Sequence, residues 1–194
     1  MPFQLRSLNI AHEWIRHSVT EGDTVIDATV GNGHDTLFLA RLVGCTGSVV
    51  GVDIQADALT QTKSFLEGAS ATEGLNLEER VSLHLMCHSR LNEVYKGEIN
   101  AAMFNLGYLP SSDKSIITQK DTTLMALDTC LTKLKSRGII TIVCYPSHEG
   151  GEQETEAVDD WAKALDPTTF SVVKMTPLNP RTQAPYLIGV QKRV

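Results

Sequence analysis

The segment Asp27-Ala28-Thr29-Val30-Gly31-Asn32-Gly33-His34-Asp35-Thr36 constrains this chain most, because it joins a short apolar run, Thr24-Val25-Ile26, to a two-glycine turn and a helix-forming stretch. The apolar run reads as a buried strand ending at Asp27. Gly31 and Gly33 allow a sharp backbone turn, and Asp35 is placed to cap or open the helix that follows. A Gly-x-Gly turn alone is a weak signal, since many tight turns contain one. The next apolar run sharpens it: Ser48-Val49-Val50-Gly51-Val52 ends in Asp53, where a carboxylate can reach ribose hydroxyls. Strand, glycine turn, helix and acid-terminated strand form the plan that holds an adenosine across the carboxyl ends of parallel strands.

Charge separates the candidate ligands. A dinucleotide would bring a pyrophosphate to a turn flanked by Asp27 and Asp35, and like charges a few ångströms apart repel by about 4 kcal/mol at an effective dielectric near 20. S-adenosylmethionine (SAM) instead carries a sulfonium and an ammonium, which carboxylates attract. The third glycine of the dinucleotide fingerprint is also missing, with Thr36 in its place. The turn therefore predicts SAM over a nicotinamide or flavin cofactor.

At 194 residues and 42% hydrophobic content, the chain fits one domain, residues 1–194, with a helix before its first strand. Cys45, Cys87, Cys130 and Cys144 form no Cys-x-x-Cys pair and suggest no disulfide framework, which predicts a reducing, cytoplasmic setting. No apolar run approaches the roughly 20 residues needed to span a bilayer, and no export signal is evident at the N-terminus. A formal charge of −6 argues against sequence-independent adhesion to nucleic acid. Local basic patches remain open at Lys133, Lys135 and Arg137, or at Arg181, Lys192 and Arg193; scattered solvated charge is the alternative. His84, Cys87 and His88 invite a metal reading, but alternation over 81–85 suggests a strand end with only one converging face, so no metal is expected.

Leu5, Leu8, Ala11, Trp14 and Ile15 recur at helical spacing, predicting an amphipathic helix over 5–18 that Gly22 helps to end. Further strands are expected at 81–85, 100–105, 138–144, 169–175 and 185–191, and helices at 35–43, 56–68, 115–136 and 151–165. This alternation predicts an α/β, doubly wound, Rossmann-like domain: a mostly parallel seven-stranded sheet with ligands at the carboxyl ends of its strands. The last two strands meet through a loop holding Pro177, Asn179, Pro180 and Arg181, which predicts an antiparallel hairpin at the sheet edge. Gly68 to Gly74 reads as a helix end and surface loop. Ser147-His148-Glu149-Gly150-Gly151, following an apolar strand, reads as a loop able to close over a substrate.

Chemistry concentrates after the strands. The fourth ends Met103-Phe104-Asn105-Leu106-Gly107-Tyr108-Leu109-Pro110, and an Asn carbonyl there can accept a hydrogen bond from an amine and aim its lone pair at a sulfonium methyl. Tyr108 can stack on an aromatic substrate; a local turn for Asn105 and ordinary packing for Tyr108 are the alternatives. Tyr145 and His148 are candidate substrate contacts, with His148 able to take a proton from an amine acceptor. His88 and Ser89 lie where adenine is often held; both also suit a helix N-terminus. His12, placed near the end of the first helix, reads as a packing or capping residue.

These segments together resemble the small SAM-dependent proteins labelled rRNA methylases, the YtqB or MnmM-like family. The likeness runs through Ala11-His12, the Asp27 to Thr36 stretch, Gly51-Val52-Asp53-Ile54-Gln55 and Cys87-His88-Ser89. It continues through Phe104-Asn105-Leu106-Gly107-Tyr108-Leu109-Pro110, Tyr145-Pro146 with His148 and Gly150-Gly151, and Asn179 followed by Ala184-Pro185-Tyr186-Leu187-Ile188. Ser111-Ser112 departs from the glycine that often follows Leu-Pro in the family. The resemblance implies a class I methyltransferase acting on tRNA, converting 5-aminomethyl-uridine derivatives at the wobble position of the anticodon to 5-methylaminomethyl forms. It places Asp27, Gly31, Asn32, Gly33, Asp35 and Thr36 around the methionine moiety, Asp53 at the ribose, Ile54 and Gln55 beside adenine, and Asn105 facing the methyl. The 145–151 and 179–185 loops would form the acceptor entrance. Competing expectations are a methyltransferase for rRNA or a small molecule, an NAD-linked oxidoreductase, and a non-catalytic SAM- or RNA-binding module. A homodimer would give a small acidic domain a longer RNA surface.

Overall fold

The computed structural model describes residues 4–107, 118–147, 151–180 and 182–194. Runs of β-branched residues supply the buried strands β1 (Thr24–Asp27) and β2 (Ser48–Asp53), and the apolar run Ala101-Ala102-Met103-Phe104 supplies β4 (Ile99–Asn105). With β3 (Val81–Leu85), β5 (Leu134–Cys144), β6 (Phe170–Met175) and β7 (Tyr186–Lys192) they form one sheet in the order β3-β2-β1-β4-β5-β7-β6. Neighbours from β3 to β5 pair in parallel, whereas β7 runs antiparallel to both β5 and β6, giving the expected edge hairpin. This is the Rossmann-like class I methyltransferase fold. Chain direction across the sheet reverses between β1 and β4, so a crevice opens at their carboxyl ends.

Helices α1 (Ser7–Ser18), α2 (His34–Leu42), α3 (Ala56–Glu73), α4 (Lys120–Lys133) and α5 (Gly151–Ala164) cover the sheet. Two buried clusters hold these layers: one joins Phe104, Leu106, Leu127 and Val158, the other Ile15, Val25, Leu39 and Leu187. Among the described residues, no helix is long and apolar enough to cross a membrane.

Several boundaries differ from the sequence expectation. Helix α1 starts at Ser7, leaving Leu5 exposed and His12 in mid-helix. Helix α3 runs past Gly68 to Glu73, because Gly68 meets no neighbour and the helix formers after it continue the turn; Gly74, at φ 67°, ends it. Helix α4 stops at Lys133, since Leu134 is buried and pairs with Ile99 as the first residue of β5. Arg137, at φ 64°, marks the irregular start of that strand, where the β4–β5 register shifts. Gly151, read both as the end of a loop and as the start of a helix over 151–165, opens α5 as a buried residue, and residues 148–150 lie outside the described residues.

The expected basic patches separate from the crevice. Lys135 Nζ donates to Asn100 Oδ1, Lys192 Nζ to the Leu134 carbonyl and Arg193 Nε to the Pro167 carbonyl, all at the opposite end of the sheet. Arg181 lies outside the described residues.

Helix α1 packs tightly on β7 at Gly189, where an added Cβ would come within 2.4 Å of the Trp14 ring. Gly189→Val is expected to cost about 1–3 kcal/mol through overpacking. Thermal unfolding should show a melting temperature lower by roughly 2–4 °C for each kcal/mol.

Candidate active site

The glycine turn folds as it does because Gly31 (φ 51°) and Gly33 (φ 79°) both adopt left-handed backbone. At Gly33 a side chain is doubly excluded: its Cβ would lie 2.6 Å from the Thr62 hydroxyl. Gly33 itself caps α2, with no side-chain cap. Asp35, expected to cap or open this helix, lies in its first turn and makes no cap hydrogen bond; its carboxylate meets His12 and Asn105. His12 Nε2 lies 2.6 Å from Asp35 Oδ1, and Asn105 Nδ2 donates to Asp35 Oδ2 at 3.4 Å.

The crevice holds a cavity of about 380 Å³, within the size range of small-molecule sites. Gly31, Asn32 and Asp35 line it, as do Asp53, Ile54 and Gln55 from the end of β2. Asp53 ties the two loops together, accepting the Gly31 N–H on Oδ2 and the Gln55 N–H on Oδ1, each at 2.9 Å. An ionised carboxylate offers about four lone-pair positions, so both Asp53 oxygens retain acceptor capacity toward the cavity. Met86, Cys87 and His88 form the wall below β3, and Asn105 and Tyr145 the wall after β4 and β5.

Four expected residues stand elsewhere. Asp27 is almost wholly buried behind the turn; Thr36 Oγ1 donates to its Oδ2 at 2.6 Å and the Thr29 N–H to its Oδ1 at 3.2 Å. Thr36 and Gly33 are likewise absent from the cavity lining. Ser89 also misses the cavity, because its hydroxyl points to Cys87 Sγ at 3.1 Å within the short 3-10 helix His88–Glu93. Tyr108 and His148 lie outside the described residues.

Electrostatics sort the remaining groups. Burial, then the Asp35 charge, push the Asp27 carboxyl up to about 7; the Thr36 and Thr29 hydrogen bonds oppose this, and Asp53 adds to it. Burial holds His88 below the usual histidine range, against a hydrogen bond to the Ala28 backbone and the Asp53 charge, so its imidazole is neutral at pH 7. Burial and then the Asp35 charge hold the Tyr145 phenol above its ordinary range. Among the described residues, no cluster of three or more His, Cys, Asp or Glu is arranged to hold a metal ion.

Residues beyond the expected set complete the site. His12 contacts Asp35 from mid-helix, its ring stacked on Phe38 with centroids 4.0 Å apart. Thr118 accepts the Gly107 N–H at 3.0 Å and donates its N–H to the Gly107 carbonyl at 3.1 Å, joining two cavity-lining residues. Buried Glu154 then accepts the hydroxyls of Thr118 and Thr123 at 2.7 and 2.6 Å. Neither His12 nor Glu154 carried a local signal, since each acts across 23 or more residues of sequence.

The raised Asp27 pKa makes stability depend on pH with a defined sign. A carboxyl at about 7 in the folded chain, against 3.8 when unfolded, binds more protons folded than unfolded in that interval. Its contribution is fully present below pH 4 and is lost as pH rises through 7, by about 4 kcal/mol at most. Urea unfolding from pH 4 to 8 should show this falling component in the wild type, and Asp27→Asn should flatten it.

Comparisons with known proteins agree with this geometry. The family described as "Putative rRNA methylase" matches residues 49–191. A chloroplastic tRNA (mnm(5)s(2)U34)-methyltransferase of Arabidopsis thaliana is 40% identical over 97% of this chain and 70% of its own length. The crystal structure of a "putative rRNA-methylase" from Clostridium thermocellum superposes with a TM-score of 0.92 at 40% identity, covering 99% of this chain and 100% of that one. A Streptococcus mutans "putative methyltransferase", solved in complex with SAH, superposes at 0.87 and 35% identity, covering 98% and 99%. The chain belongs to the rRNA methylase family of SAM-dependent methyltransferases.

Proposed function

We propose that this methyltransferase acts on tRNA, methylating the 5-aminomethyl group of a wobble uridine to 5-methylaminomethyl. The Arabidopsis thaliana relative is named for that position of tRNA, and its 40% identity over nearly the whole chain supports the same acceptor. The observation that carries the reading is the pairing of an amide with a carboxylate, Asn105 beside Asp35, on one wall of the cavity. An alkylamine has a pKa of about 10 and reaches the enzyme as a cation. A carboxylate wall draws in such a group and repels a phosphate or phenolate.

The cavity suits SAM in size and charge. Asp53 has acceptor capacity for ribose hydroxyls, Ile54 and Met86 offer apolar surface to adenine, and Gly31 and Asn32 border the methionine end. When bound, SAM supplies a methyl already activated on a sulfonium, so the protein's contribution is chiefly positioning. Asn105 is fixed from both sides: its backbone N–H donates to Thr29 Oγ1 at 2.8 Å and its side-chain N–H to Asp35. That leaves its carbonyl oxygen to accept a hydrogen bond from an acceptor amine, and Tyr145 to flank the base. The cysteines described as free, at 45, 87, 130 and 144, suit a reducing compartment.

Incubation with methyl-labelled SAM and tRNA carrying 5-aminomethyl-uridine should place the label on an anticodon nucleoside. Label found only on small amines or on protein would reject the tRNA acceptor. Asn105→Ala should lower kcat by about 100-fold through misplacement of the nucleophile, with SAM affinity by calorimetry unchanged.

A further inference from the structure

We propose that Asp35 receives the acceptor's ammonium group and takes its proton, and that His12 is the positioning residue that aims it. This rests on the amine-acceptor reading above.

Asp35 is 6% exposed in the first turn of α2, yet it makes no cap hydrogen bond there, since Gly33 forms the cap without side-chain help. Burying an acid is costly unless it is paired and hydrogen-bonded. Its surroundings fix its direction instead. A contact of 2.6 Å between His12 Nε2 and an acceptor-only carboxylate requires the hydrogen to sit on Nε2, so His12 donates. The imidazole is held for this: it lies face to face with Phe38, 8° from parallel, and the Arg16 guanidinium covers the Phe38 ring 5.1 Å from its centre. Asn105 occupies one position on the other oxygen. The remaining lone pairs of Asp35 are available to the cavity that it lines.

Charged and titratable groups face Asp35 from each neighbouring element: His12 from α1, buried Asp27 from the end of β1, and Tyr145 after β5, with Asp53 beyond Asp27. Among the described residues, no Lys or Arg lines the cavity. A ligand that brings a cation is therefore favoured beside Asp35. An acceptor ammonium beside Asp35 passes one proton to the carboxylate, giving a neutral acid and a free amine. The nitrogen lone pair then forms the N–C bond to the donated methyl as the C–S bond breaks with its electrons on sulfur. The product leaves as a secondary ammonium, and Asp35 returns its proton to solvent, so one proton is released per turnover. Asp35 thereby serves the acceptor, whereas its place in the glycine turn associates it with the methionine moiety.

Three variants and three readouts test this. Asp35→Asn should lower kcat/KM for 5-aminomethyl-uridine tRNA by about 100-fold at pH 7, in the range of a lost acid–base group, while the Kd for SAM by calorimetry stays within about threefold. Raising the pH toward the amine's own pKa of about 10 should shrink that deficit, because solvent then supplies the free amine. Without SAM, wild-type protein should prefer an anticodon stem-loop bearing the aminomethyl group over one with plain uridine, and Asp35→Asn should lose the preference. His12→Ala should share the defect, and His12→Gln, which retains an N–H donor, should recover most of it. Loss of SAM affinity in parallel with turnover, or a deficit that does not change with pH, would overturn the proposal. Wild-type protein that transfers no methyl to the amine would instead remove the function reading, and the role of Asp35 with it.

Discussion

Three carboxylates crowd the crevice where the chain reverses direction between β1 and β4, and much of the local structure serves to hold them there. Asp27 is kept by the Thr36 hydroxyl and the Thr29 N–H, Asp53 by two backbone amides, and Asp35 by His12 and Asn105. Among the described residues no Lys or Arg lines the cavity to offset Asp35 and Asp53 where it opens. Repulsion between such charges is about 4 kcal/mol at 4 Å for an effective dielectric of 20. A ligand carrying positive charge relieves it. The site therefore favours a cationic donor, the sulfonium of SAM, and on the proposed reading an ammonium acceptor as well.

This arrangement makes the N-terminal helix part of the site. Ala11 and Ile15 bury one face of α1 while Trp14 seats against Gly189, and that packing sets the depth from which His12 reaches Asp35. Stability and chemistry are coupled through one helix. A change that lifts α1 from β7 also moves a donor away from a carboxylate some distance along the sheet, so overpacking at the edge hairpin reaches the cavity through the helix.

The central βαβ unit was legible in the sequence because its signals are local. Apolar runs closed by Asp27 and Asp53, with Gly31 and Gly33 between them, state strand, turn and helix within a few residues; the cavity-lining positions Gly31 and Asp53 followed directly, and the family resemblance added Asn32, Ile54 and Gln55. The site's other half was not legible in this way. His12 lies on an amphipathic helix where a histidine usually packs or caps, and only tertiary folding brings it to Asp35. Asp27 and Thr36 belong to the motif yet support it from behind, because a strand's last residue can point beneath the turn it begins. The boundaries missed at Gly68 and Leu134 have a similar cause. Helix propensity outweighed one exposed glycine in α3, and pairing with Ile99 drew Leu134 into β5.

The same charge distribution limits how an RNA could approach. Lys135, Lys192 and Arg193 hold backbone or side-chain oxygens at the amino ends of the parallel strands, so they brace the sheet and do not surround the cavity. With strands of about seven residues rising ~3.3 Å each, that end lies on the order of 20 Å from the crevice. Phosphates gain little from an acidic cavity, whereas a protonated aminomethyl group on a displaced base gains a carboxylate. A base turned out of its stack would thus enter with its amine leading and its backbone outside. The potential that makes the domain a poor general nucleic-acid binder, at a net charge of −6, is the one that would tell an aminomethyl-uridine from an unmodified uridine.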